Sequence, residues 1–232
     1  MVDGESVVYP LLILLAAVSF VVAVIVYFRS EKEPESLQRR FLPRFYAYAV
    51  IFFSSVILLV GGGLLLKAAL SYPLGLEFSY RGQPIYAEVA YTESRPYPEP
   101  PEFERIEYRN EWRLTDFLNG ATLVGTGSLF LASHWVLRNR LESKEERLVS
   151  FLNRAYLMIS GVVYGGLSLV LIPSALRQLV EFYLVPRGDP EATVWSWPIP
   201  GASLGYALAS LPLWLWALTM LLRNLRLEGS QV

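Results

Sequence analysis

Five long apolar stretches, separated by short charged ones, organise this chain. The first runs from Tyr9 to Phe28 without a charge. The second spans about Phe45 to Leu70, with Lys67 as its single charged residue. The third begins near Phe117 and ends near Trp135. The fourth covers Ala155 to Phe182, with Arg177 near its far end, and the fifth covers Ala202 to Leu222. Each meets or approaches the ~20 residues that an α-helix needs to cross ~30 Å of hydrocarbon. The pattern predicts one all-α membrane domain over residues 1–232: a polytopic helical bundle of about five transmembrane helices near 7–28, 45–70, 116–137, 155–182 and 201–222. Between them lie a mostly irregular outer loop at 71–115 and cytoplasmic loops at 29–44 and 138–154. Asn119, Thr122, Thr126, Ser128 and Ser133 make the third stretch the most polar, which leaves an interfacial or re-entrant placement open for it. Asp3 and Glu5, not Lys or Arg, precede the first stretch, so it reads as a retained helix and not a cleaved signal peptide.

Composition agrees. Hydrophobic residues make up 53% of the chain and charged residues 18%, against roughly 25% charged in soluble domains. A net charge of -1 provides no basic field for nucleic acid. The absence of cysteine excludes disulfides, thiolate metal sites, iron–sulfur clusters and a cysteine nucleophile.

Charge placement orients the bundle. One short connection holds Arg29, Lys32, Arg39, Arg40 and Arg44, a second holds Arg138, Arg140, Lys144, Arg147 and Arg154, and the C-terminal tail adds Arg223 and Arg226. Cations near helix ends in short loops mark the cytoplasmic side. Five crossings then place the N-terminus outside and the C-terminus in the cytoplasm, as expected of a multi-pass protein of the cell membrane. The long outer segment is richer in acid than in base, and Trp112, Trp135, Trp195 and Trp197 fall at expected boundaries, where amphipathic rings favour the headgroup region.

The second and fourth stretches align without a gap: Phe41 falls on Phe151, Leu42 on Leu152, Arg44 on Arg154, Tyr46 on Tyr156, and Lys67 on Arg177. The helices that follow them begin alike, with GATL at Gly120 and GASL at Gly201. This predicts an internal parallel repeat of two helices, an arrangement also found in transporters. The residues Arg44, Phe45, Tyr46 and Tyr48, echoed by Arg154 and Tyr156, resemble an uncharacterised family of prokaryotic integral-membrane domains of unknown function. Its members are helix pairs, the second introduced by an Arg-x-Tyr motif. The resemblance covers the helix pairs and implies architecture only.

Few residues carry candidate chemistry. Lys67 and Arg177 are ionisable groups inside apolar helices, which makes them candidates for an anionic ligand or a lipid headgroup; snorkelling to the outer surface explains them as well. His134, the single histidine, is a candidate axial ligand to a cofactor and equally an interfacial polar residue. Asp116 with Thr115 reads as an N-cap of the third helix, and Glu181 is spaced to pair with Arg177 across one turn. Small residues suited to helix packing are Gly161 and Gly165, the run Gly61–Gly63, and Ala16, Ser19 and Ala23 on the first helix. Pro173 and Pro212 interrupt helices, and Ile85–Tyr91 alternates like a short strand. No nucleophile elbow, P-loop, dinucleotide fingerprint or zinc motif occurs. The expectation is a non-catalytic structural or accessory subunit of a larger membrane assembly, needing no cofactor or metal. Its partners are the lipid bilayer and other membrane subunits or itself. A small transporter or channel built from parallel repeats is the alternative.

Overall fold

A computed structural model describes residues 35–80, 102–184 and 199–229. The described residues form helices: α1 (Glu35–Leu74), α2 (Leu76–Tyr80), α3 (Glu102–Leu141), α4 (Lys144–Val149), α5 (Phe151–Leu184) and α6 (Pro200–Gly229). Four of them, over Phe41–Leu74, Arg109–Leu141, Phe151–Leu184 and Pro200–Asn224, are long and apolar enough to cross a membrane. The first apolar stretch, with Ala16, Ser19 and Ala23, lies outside the described residues, as do Ile85–Tyr91, Trp195 and Trp197.

The helices lie side by side in the order α3, α1, α6, α5, with a lesser contact from α1 to α5. Helix α1 is therefore central. Arg44, near its start, meets Leu141 at the end of α3, and Lys67, near its other end, meets Asp116 in α3. The two helices are thus antiparallel, and the connection at 142–150 returns α5 to the direction of α1. The apolar core joins Tyr48, Ile51, Phe52 and Leu59 of α1 to Tyr156, Val163, Tyr164 and Leu167 of α5 and Tyr206 of α6. Serines tie the same helices together. Ser55 is bonded to Tyr164, Ser168 to Ser210 at 3.0 Å, and Ser203 donates to Gln178 Oε1 at 3.0 Å. Such interhelical bonds contribute on average ~0.6 kcal/mol each in a membrane.

Glycine permits the closest approaches. A Cβ at Gly61 would lie 2.9 Å from the Gly120 carbonyl oxygen of α3, and one at Gly205 of α6 would lie 2.7 Å from the Gly63 carbonyl oxygen. The run Gly61–Gly63 therefore lets α1 touch α3 on one side and α6 on the other. Gly75 separates α1 from α2 with φ 91°, a left-handed conformation that favours glycine.

Several boundaries differ from expectation. Helix α3 begins at Glu102, not near residue 116. The polar stretch 102–115 contains no Gly or Pro, and Pro100 and Pro101 sit where helices start. It continues the helix outward beyond its apolar part. Asp116 therefore stands inside a helix and caps nothing. Helix α1 begins at Glu35 and ends at Leu74, which removes much of the expected loop at 29–44 and, with α2 and α3, most of that at 71–115. The loop at 138–154 is a tight turn around α4, whose N-cap Ser143 and Glu146 form a reciprocal capping box.

Candidate functional site

The polar side chains of the bundle gather at its two ends. At the end where α2 folds back, the Lys67 ammonium lies 2.9 Å from Asp116 Oδ2, with 3% of its side chain exposed. The Tyr80 ring stands 4.9 Å below the same ammonium, and Ser79 Oγ donates to the Lys67 carbonyl oxygen at 2.8 Å. Three elements, α1, α2 and α3, thus enclose one cation. Nearby, Arg109 reaches Glu77 at 3.8 Å and the Arg113 guanidinium covers the Tyr72 ring at 4.3 Å. Arg177, aligned with Lys67 in sequence, is elsewhere. It lies on α5 with its side chain 62% exposed and pairs with Glu181 at 3.1 Å across one turn. The two cations do not share a site. Lys67 is turned inward into an ion pair instead of reaching outward, because a carboxylate stands one helix away.

At the opposite, basic end, the chain buries a carboxylate that sequence reading passes over. Glu142, in the turn after α3, has a fully buried side chain. Its Oε2 accepts from the Tyr48 hydroxyl at 2.7 Å, and its Oε1 accepts from Ser150 Oγ at 3.4 Å and lies 3.7 Å from Arg44 Nε. Arg44 also donates to the Leu141 carbonyl oxygen at 3.1 Å and to Glu146 Oε2 at 3.0 Å. Arg147 donates to the Glu142 carbonyl oxygen at 3.2 Å. Arg138 is buried beside this cluster, its guanidinium 4.0 Å from the centre of the Trp135 ring and 5.6 Å from that of Tyr48. The Glu142 carboxylate fastens the starts of α1 and α5 to the end of α3. Tyr48→Phe removes the hydroxyl donor to this charged acceptor and is expected to cost about 1.5–3 kcal/mol in reversible unfolding from detergent, with the fold retained.

His134 lies on the flank of α3. A carbonyl oxygen only accepts, so the 2.9 Å contact from Nδ1 to the Phe130 oxygen places the proton on Nδ1. Nε2 then faces the Tyr46 hydroxyl at 3.4 Å, and the two rings meet edge to face at 5.5 Å. Both nitrogens thus have neighbours within the chain. Among the packing glycines, a Cβ at Gly165 would meet the Trp214 indole at 2.7 Å, whereas one at Gly161 would meet nothing within 4 Å. Gly165 therefore faces α6 and Gly161 faces away.

Comparison with family models, with curated proteins and with solved structures finds no match. The site must be read from the chain itself. Two of its elements were not picked out from the sequence. Glu142 is one acid in a basic connection, and only its position directly after an apolar helix marks it. Gly201 and Gly205 form a GxxxG at the start of α6. The sequence shows that spacing openly, although its resemblance to GATL draws attention away from its role as a packing face.

Proposed function

We propose that the chain is a non-catalytic structural or accessory subunit of a larger membrane protein assembly. The observation that carries this reading is the outward face of α3. Only 11% of the apolar window of α3 is buried within the chain, against 50% for α5. Both exposed faces carry bulky apolar side chains, and that of α3 adds a row of small ones. The exposed side of α5 presents bulky Met158, Val162, Leu169 and Leu176, as suits lipid. That of α3 intersperses Ala121, Thr122, Gly125, Ser128 and Ala132 between bulky Leu118, Leu129 and Phe130. A Cβ at Gly125 would meet nothing within 4 Å. Small residues at helical spacing let another helix approach closely.

The transporter alternative needs Lys67 and Arg177 at one anionic-ligand site, and their separate ion pairs give it less support. The parallel repeat draws support from the packing of α1 on α3 and of α5 on α6. A multi-pass placement in the cell membrane with a cytoplasmic C-terminus draws support from the gathering of Arg44, Arg138 and Arg147 at one end.

The test is native separation of mildly solubilised membranes with mass spectrometry of what travels with the chain. Stoichiometric co-migration with other polypeptides is expected. Because the chain lacks cysteine, Gly125→Cys supplies a unique thiol, and it should cross-link in membranes to one of those same polypeptides. Migration alone, or as a homo-oligomer, overturns the reading.

A further inference from the structure

Among the described side chains, the basic end holds an uneven set of charges. Three guanidinium groups, of Arg44, Arg138 and Arg147, surround two carboxylates, Glu142 and Glu146. Glu142 is engaged by Tyr48, Ser150 and Arg44, and Glu146 by Arg44 and its own capping box. Arg138 is left over. It is only 4% exposed, and among the described residues no hydrogen bond or ion pair reaches it. Its Nε is buried without a partner, as is that of Arg147. The aromatic faces of Trp135 and Tyr48 hold the guanidinium in place, and they carry no negative charge to offset it. A buried guanidinium with unfilled donors is costly unless an anion meets it.

We infer that Arg138 and Arg147 form a binding site for a phosphate group at the basic end of the bundle. The planar fork of arginine matches phosphate oxygens in pairs, and the aromatic stacking of Arg138 fixes that fork in advance. Arg138 stands in the last turn of a membrane-spanning segment, Arg109–Leu141, the level at which headgroup phosphates lie. Exposed Leu42, Val136 and Phe151 flank this end and offer apolar surface to acyl chains. A phospholipid headgroup and a free phosphate share this chemistry. The site is independent of the accessory role proposed above.

The test uses the full chain, purified and delipidated in a maltoside detergent. Its unfolding temperature is followed while dioleoyl phosphatidylglycerol, dioleoyl phosphatidylcholine or inorganic phosphate is added. At saturation, phosphatidylglycerol is expected to raise it by about 5 °C or more, and phosphatidylcholine by less. An equal rise with inorganic phosphate assigns the site to a soluble phosphate compound; a rise with the lipid alone assigns it to the headgroup. Arg138→Gln should abolish the rise, whereas Arg140→Gln, an exposed neighbour, should keep it in full. Arg138→Lys preserves the charge without the fork and should bind at least tenfold more weakly. No rise with either phosphate source, a rise that survives Arg138→Gln, or undiminished binding by Arg138→Lys overturns the proposal.

Discussion

Asp116→Ala is expected to destabilise the bundle by about 3–5 kcal/mol, measured by reversible unfolding in mixed detergent and followed by helical circular dichroism. The reason is the position of Lys67. With 3% of its side chain exposed, it sits where water has little access to replace the carboxylate at 2.9 Å. The loss is the penalty of weakening the counter-charge around a buried cation, not the intrinsic strength of the pair. Joint replacement, Lys67→Met with Asp116→Leu, should therefore recover most of the stability, because buried ion pairs and apolar pairs of similar volume are often of similar worth. The double variant separates this account from simple loss of packing, which would leave it at least as unstable as the single one. A single variant within about 0.5 kcal/mol of the parent would show that Lys67 finds its counter-charge elsewhere.

Gly205→Ala is the second large effect. Its Cβ would stand 2.7 Å from the Gly63 carbonyl oxygen and 2.9 Å from the Lys67 amide nitrogen, both backbone atoms of the central helix. Backbone cannot rotate aside as a side chain can, so α6 must move away from α1. Overpacking of this kind costs about 1–3 kcal/mol, and alanine's better helix propensity offsets less than ~1 kcal/mol of it. Gly61→Ala, with the Gly120 carbonyl oxygen at 2.9 Å, should behave alike on the other side of α1. Gly161→Ala, with nothing within 4 Å, should be neutral or mildly stabilising. The same unfolding measurement on all three variants checks the contrast. Equal effects at Gly205 and Gly161 would mean that glycine acts here through backbone freedom and not through contact.

How much of this was legible in the sequence depends on the range of the interaction. The spans in α1, α3, α5 and α6 follow from apolar run length, a local property. The Arg177–Glu181 pair follows from a spacing of four on one helix, as local again. Asp116 was misread because a carboxylate just before an apolar stretch looks like a cap. What decides otherwise is the continuous helix-forming segment before it and a lysine 49 positions earlier in the chain. The inward turn of Lys67 is hidden for the same reason: nothing in its own neighbourhood reveals a partner on another helix. The Arg44–Glu142 contact spans 98 positions and is likewise invisible to any window of helical length. Positions that align between the second and fourth apolar stretches also differ in their surroundings. Tyr46 is exposed beside His134 whereas Tyr156 is buried against Tyr48, so similar sequence met different surroundings.

The order of the described helices across the bundle differs from their order along the chain, and this constrains the ways in which the bundle can be assembled during synthesis. Helix α3 can settle on α1 once both have been made, with the Lys67–Asp116 pair and the Arg44–Glu142 contact fastening the two ends. Helix α5 then emerges with little to lean on, since its main neighbour, α6, has yet to be made. Ser55 and the rings around Tyr48 are its early footholds. The last helix slides between two that are already present, Gly205 against Gly63 on one flank and Trp214 against Gly165 on the other. Among the described helices it is the wedge that completes the row, with α1 on one flank and α5 on the other.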